Sequence, residues 1–156
     1  TYPVFTAIAA PEVQNKLNGD FAIIAGPYLQ NLATGGCELD YTLTFVSEKF
    51  ISMVFFGVLD EGEKEIFAKI PLNIDVQTGA QLALGDVLNL RDADLLPVLR
   101  LLTKKDKVDF SKGIPESWYY NGTNFVFCQR SETGEWLEAT VAASDLKKFL
   151  LKPELF

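Results

Sequence analysis

With 156 residues, 48% of them apolar and 22% charged, the chain has the size and apolar content of one globular domain and not of a disordered segment. Its 14 Lys and Arg against 21 Asp and Glu leave a net charge of −7, the wrong sign for neutralising phosphates or settling on anionic lipid, which argues against nucleic-acid binding. There is no histidine, so Ser-His-Asp and Cys-His catalysis and every histidine-ligated metal site are excluded.

Tyr2 to Thr6 is a short β-prone run in which Pro3 suggests an edge or a first position. A helix follows: Pro11 suits its first turn, and Val13, Leu17, Phe21 and Ile24 recur at helical spacing on one face, with Asn15, Lys16, Asn18 and Asp20 on the wet side. Gly26-Pro27 is expected to interrupt this helix, with Tyr28, Leu29 and Leu32 in a second helical stretch before Gly35-Gly36. From Glu38 the period becomes two. Leu39, Tyr41, Leu43 and Phe45 alternate with Glu38, Asp40, Thr42 and Thr44, the pattern of a half-buried strand. Glu48-Lys49 is a turn, and Phe50 to Val58 is apolar on both faces, as expected of a central strand covered by a helix on one side. The acidic connection Asp60-Glu61-Gly62-Glu63-Lys64-Glu65 leads to a third strand from Ile66 to Val76. These three strands predict an antiparallel meander.

Gln81 to Leu84 reads as a brief extended piece and Gly85 to Leu88 as one helical turn; Asp92 or Asp94 is placed to cap a helix carrying Leu95, Leu96, Leu99 and Leu102. Trp118 to Tyr120, an Asn121-Gly122 hairpin signal, Asn124 to Gln129 and Trp136 to Val141 predict further strands, and Ser144 is placed to cap a last helix holding Leu146, Phe149 and Leu150. With no repeat, low-complexity tract or linker, residues 1–156 form a single α+β domain: mostly antiparallel sheet, a long N-terminal helix, and further helices near the middle and the C-terminus.

No window reaches the roughly 18–20 apolar residues of a bilayer span. The chain opens on Thr1-Tyr2-Pro3 without a signal-peptide pattern, which leaves room for a leader or membrane anchor in a precursor. Cys37 and Cys128 suit either one disulfide in an oxidising compartment or two buried thiols, with the unpaired reading preferred.

The order of motifs resembles the PdaC/RsiV-like family of bacterial extracytoplasmic domains. Tyr2-Pro3-Val4-Phe5 and the helix centre Val13-Gln14-Asn15-Lys16-Leu17-Asn18 are similar to that family's opening strand and its helix with an "IN" pair, here Leu17-Asn18. Asp40-Tyr41 and Ser52-Met53-Val54-Phe55 match its next two strands, and the stretch from Asn73 to Leu88 resembles its strand, "TG" turn and "L-x-D-L" helical turn. The segments Trp118 to Phe127 and Glu138 to Val141 look like its closing hairpin and last strand. One departure is clear: where the family often has a Gly-Gly-Ala-His loop, this chain has Glu61-Gly62-Glu63-Lys64. The resemblance implies export to the cell envelope. It also implies a non-enzymatic binding or sensor role, since in the family the domain is either an anti-sigma ectodomain that binds lysozyme or a companion of a separate peptidoglycan deacetylase domain. A basic protein such as lysozyme, or a peptidoglycan fragment, is the partner so implied, and the acidic balance suits the former.

Paired carboxylates do glycosidase chemistry when suitably spaced about a sugar, and Asp60, Glu61, Glu63 and Glu65 sit together. Their Gly-containing connection predicts solvated side chains without the desolvation a general acid needs, so Glu61 and Glu63 are read as binding residues. The run does not reproduce a calcium-loop order, and no metal or cofactor is expected. Ser52 and Ser144 lack a base, Lys69 and Lys112 lack an evident activating pocket, and Cys128 has no His partner, so no catalytic residue is assigned. Alternation sends Trp118 and Tyr120 one way and Tyr119 the other, so they cannot all be core, and Tyr119 and Trp136 are read as the exposed aromatics of a binding face. The alternatives are a carbohydrate-active enzyme using a carboxylate pair and a structural accessory domain.

Overall fold

In the computed structural model, which describes residues 3–6, 10–31, 37–60 and 65–156, the chain forms two antiparallel sheets and several helices. Helix α1 (Pro11–Asn31) begins where the Ala10 carbonyl accepts the Gln14 N–H at 3.1 Å. Its Val13, Leu17 and Phe21 are buried, as their spacing requires. Contrary to expectation, α1 runs through Gly26-Pro27 without a break. Proline removes one intrahelical hydrogen bond, and the carbonyl it orphans belongs to Ile23, whose residue is 75% exposed and within reach of water.

Residues 3–6 are not a strand. Phe5 instead donates its N–H to Asn18 Oδ1 at 2.8 Å and accepts from Asn18 Nδ2 at 3.0 Å, so one side-chain amide supplies the two bonds a strand partner would. The Phe5 ring then lies 5.4 Å from that of Phe21.

Strands β1 (Cys37–Val46), β2 (Phe50–Asp60) and β3 (Glu65–Asp75) form the expected meander, completed by the short β4 (Ala80–Gln81) in the order β1-β2-β3-β4. Ser47 closes the first turn, its Oγ accepting the Phe50 N–H at 3.0 Å. The register shifts between Leu43 and Phe45. A one-residue slip exchanges the faces of a strand. Leu39 and Tyr41 therefore face α1, whereas Phe45 turns to the opposite side and meets Tyr120 at 5.0 Å, a correction to the unbroken alternation read from sequence. On the helix side, Ile51, Met53, Phe55, Leu72 and Ile74 bury against α1.

The second sheet comprises β5 (Ser117–Tyr120), β6 (Asn124–Arg130) and β7 (Trp136–Ala142), with β5 at its edge. Gly122, at φ 96°, makes the hairpin turn in a conformation that a side chain rarely adopts. One face of this sheet, with Trp118, Tyr120, Phe125, Phe127 and Val141, joins Phe50 in a larger core closed by α2 (Leu84–Val87), α3 (Leu95–Leu102) and the 3-10 segment Ala143–Phe149. Two expected caps are absent. Asp94 occupies the N-cap of α3, yet its carboxylate reaches Lys148 at 3.3 Å instead of the helix. Ser144 lies inside the last helical segment because β7 continues to Ala142 and the Ala143 N–H is taken by the Thr123 carbonyl at 2.9 Å.

The two sheets meet edge to face. Asn121 pairs with Asn124, so the backbone groups of Ser117 and Tyr119 face β6 and those of Trp118 and Tyr120 face outward. Two fully buried side chains standing on the four-stranded sheet receive them: Ser52 Oγ accepts the Tyr120 N–H at 2.8 Å, and Asn73 Nδ2 donates to the Trp118 carbonyl at 2.7 Å. Ser52 Oγ in turn donates to Asn73 Oδ1 at 2.7 Å.

Truncating this buried relay leaves β5 groups unpaired away from water. Ser52→Ala and Asn73→Ala are each expected to lower the unfolding free energy in urea by about 1–3 kcal/mol, with the double variant costing less than the sum of the two. Asn18→Leu is expected to leave α1 intact while accelerating hydrogen exchange at the Phe5 amide, measured by NMR.

Candidate functional site

The face of the four-stranded sheet that points away from α1 carries alternate residues of β2, from Phe50 through Ser52, Val54 and Phe56 to Val58. The edge of β5 covers it at Ser52. Beyond that line the face is open. There Asp40, Phe56 and Lys69 stand in register across β1, β2 and β3, with Val58 and Phe67 paired in the next row. The start of β7 closes one side, where Trp136 Nε1 donates to the Phe67 carbonyl at 3.2 Å and fixes the indole. Together these residues line a groove of about 330 Å³. Phe56, on the central strand β2, is 42% exposed, and Phe67, on β3 beyond the reach of the short β4, is 56% exposed.

Behind the groove lies a polar cluster centred on a single oxygen. Glu138 Oε1 accepts from Lys69 Nζ, from the Tyr119 hydroxyl at 2.9 Å and, more distantly, from Cys128 Sγ at 3.8 Å. Cys128 and Glu138 are directly opposed in register, so the strand pairing itself brings them together. The Lys69 side chain is only 12% exposed, and its ammonium sits 5.7 Å from the Phe56 ring centroid and 5.3 Å from that of Tyr119. Cation–π attraction and the Glu138 carboxylate together compensate its lost hydration.

The cluster holds its thiol and its phenol in their protonated forms. Burial pushes the Cys128 thiol up to about 12, and Glu138 reinforces this against the opposing influence of Lys69. Burial, followed by the hydrogen bond to Glu138, likewise raises Tyr119 well above the ordinary phenol range. Cys128 is a free, buried thiol. Among the described residues, no three His, Cys, Asp or Glu side chains converge as a metal site requires.

Of the residues selected from sequence, Tyr119 and Trp136 fall on the same side of the second sheet, Trp136 lining the groove and Tyr119 stacked beside Lys69. Both are half-buried instead of exposed, because each is held by a hydrogen bond to a neighbouring strand. Glu61 and Glu63 lie outside the described residues. Sequence reasoning passed over Asp40, Phe56, Phe67 and Glu138. The signal was present in β2, where alternation places Phe56 on the face opposite α1. A second hollow of about 730 Å³ between residues 3–6 and β1 is lined by Val4, Phe5, Tyr41, Leu43 and Val46.

An α+β domain with an antiparallel meander backed by a long helix, and a second sheet set on its open face, is the class these observations define. No family model and no curated protein sequence matches the chain. Its fold is similar to that of a DUF3298 family protein of Pseudomonas aeruginosa PAO1, with a TM-score of 0.64 and 14% identity over 93% of this chain and 83% of that one. A DUF3298 family member of Bacteroides fragilis superposes with a TM-score of 0.57 and 14% identity, covering 89% of this chain and 65% of that one. At this identity the likeness establishes the shared fold, and it is compatible with the PdaC/RsiV-like motif order read from the sequence.

The folded Cys128 thiol keeps its proton up to about 12, whereas the unfolded one releases it near 9, so between those values rising pH favours the unfolded state. The stability contributed by the thiol is complete below the unfolded value and is lost as pH rises through the folded one. Tyr119, raised in the same sense, adds to the same alkaline loss. Urea titrations of the wild type and Cys128→Ala are therefore expected to converge in this alkaline window. A thiol reagent at mildly alkaline pH is expected to label Cys128 only after unfolding.

Proposed function

We propose that the chain is a non-enzymatic binding domain of the bacterial cell envelope, exported from the cytoplasm, that docks a basic protein of the lysozyme type. The observation that carries this reading is the half-open aromatic groove, where Lys69, Tyr119 and Cys128 are committed to Glu138 and the surface that remains is recognition surface. Tyrosine, tryptophan and phenylalanine are the side chains that dominate interface energetics, and rigid ones cost little entropy to bind. A net charge of −7 supports a basic partner, since opposite charges steer encounter and disfavour wrong orientations. The placement at the envelope follows from the motif order alone. No helix among the described residues is long and apolar enough to cross a membrane.

A second reading, a peptidoglycan fragment as ligand, is favoured by the exposed Phe67 beside Trp136, because aromatic rings offer flat apolar platforms to sugars. Calorimetric titration with lysozyme and with muropeptides separates the two. Saturable lysozyme binding that weakens as salt is raised is the expected outcome, and silence with lysozyme would overturn the first reading. Hydrolysis or deacetylation of muropeptides, abolished in Glu61→Gln or Glu63→Gln, would instead make the chain an enzyme.

A further inference from the structure

The charges around the groove are unequally matched. Lys69 is neutralised by Glu138 and held between the Phe56 and Tyr119 rings. Asp40, directly opposite Phe56 in register and exposed, makes no ion pair among the described residues. Its Oδ1 accepts the Tyr41 N–H at 2.8 Å, which orients the carboxylate on the groove's rim. The groove thus combines a carboxylate with no ion-pair partner among the described residues, a lysine already committed to Glu138, and the aromatic side chains Phe56, Phe67 and Trp136. Ring faces attract cations through their quadrupoles, and a carboxylate adds a charge-assisted hydrogen bond. Lys69, which lines the same groove, shows the principle at work, its ammonium lying near the Phe56 and Tyr119 rings.

We infer that this groove is a receptor for one cationic side chain of a basic partner protein, an arginine above all. A planar guanidinium stacks on an aromatic face while two of its N–H groups address a carboxylate, which an ammonium does less well. An aliphatic side chain would fill the hollow without any use for Asp40, and a sugar ring would bind without needing a charge. The charge complementarity therefore selects the cation. The inference rests on the basic-partner reading and names the contact through which that partner would be held.

The test is a two-dimensional amide NMR titration with a short capped peptide containing a single arginine, set against the same peptide with neutral citrulline in its place. Saturating shifts at Asp40, Phe56, Phe67 and the Trp136 indole N–H are expected with arginine and not with citrulline. Asp40→Asn keeps the acceptor for Tyr41 and sits at the surface, so it leaves the fold intact; it is expected to weaken arginine binding about tenfold or more. Trp136→Ala is expected to weaken it further, and Trp136→Phe to restore part of the loss. Equal response to citrulline, unchanged affinity in Asp40→Asn, or shifts at these residues with a chitooligosaccharide alone would each overturn the inference. Lysozyme binding that survives both substitutions would overturn the groove and spare the basic-partner reading. Arginine-peptide binding without lysozyme binding would do the reverse.

Discussion

An exposed sheet edge is a row of unpaired backbone groups, and burying one requires that each find a partner. In this protein β5 is buried edge-on against another sheet, and two of its outward groups, the Tyr120 N–H and the Trp118 carbonyl, are met by Ser52 and Asn73, which stand on neighbouring strands and bond to each other. A face-to-face sandwich would satisfy its strands internally and need no such relay. The edge-on contact does need it, because the Tyr120 N–H and Trp118 carbonyl have no strand beyond them. The position of the second sheet therefore depends on two small polar groups in an otherwise apolar layer, where an orphaned donor is costly.

Edge-on docking also divides one sheet face into two unlike territories. On one side, Phe50, Trp118, Tyr120 and Phe125 close into a core with the helical segments, and the Phe156 ring packs 4.8 Å from Phe125. On the other side, Phe56, Phe67 and Lys69 have no layer of equal extent above them, and β7 offers only Trp136 and Glu138 as a wall. The groove is thus the remainder of an incomplete cover. Its aromatic character is shared by three strands, Phe56 coming from β2, Phe67 from β3 and Trp136 from β7.

The polar cluster behind this groove shows how geometry sets chemical temperament. Lys69, Tyr119 and Cys128 all converge on one carboxylate oxygen. Burial disfavours the thiolate and the phenolate, and the nearby carboxylate disfavours them further. The same arrangement pins Tyr119 and Lys69 in place and so makes the wall rigid.

Much of the architecture is local and was therefore readable from the chain. Period-two alternation fixed the meander, helical spacing fixed the buried face of α1, and Asn121-Gly122 fixed the β5–β6 hairpin, because each is a property of consecutive residues. The failures share a cause. Gly26-Pro27 did not stop α1, since solvent at Ile23 relieves the cost; residues 3–6 did not pair as a strand, since the amide of Asn18, distant in sequence, took their backbone groups; and the bulge after Leu43 sent Phe45 to the opposite face. Of the site, the sequence pointed to Tyr119 and Trp136 as aromatics outside the core. It did not join them to Asp40, Phe56, Phe67 and Glu138, because those residues become neighbours only through strand register and the docking of one sheet's edge on another's face. Local preferences are written in adjacent residues, whereas that docking is selected by hydrogen bonds between groups far apart in the chain, and no window of sequence contains both partners.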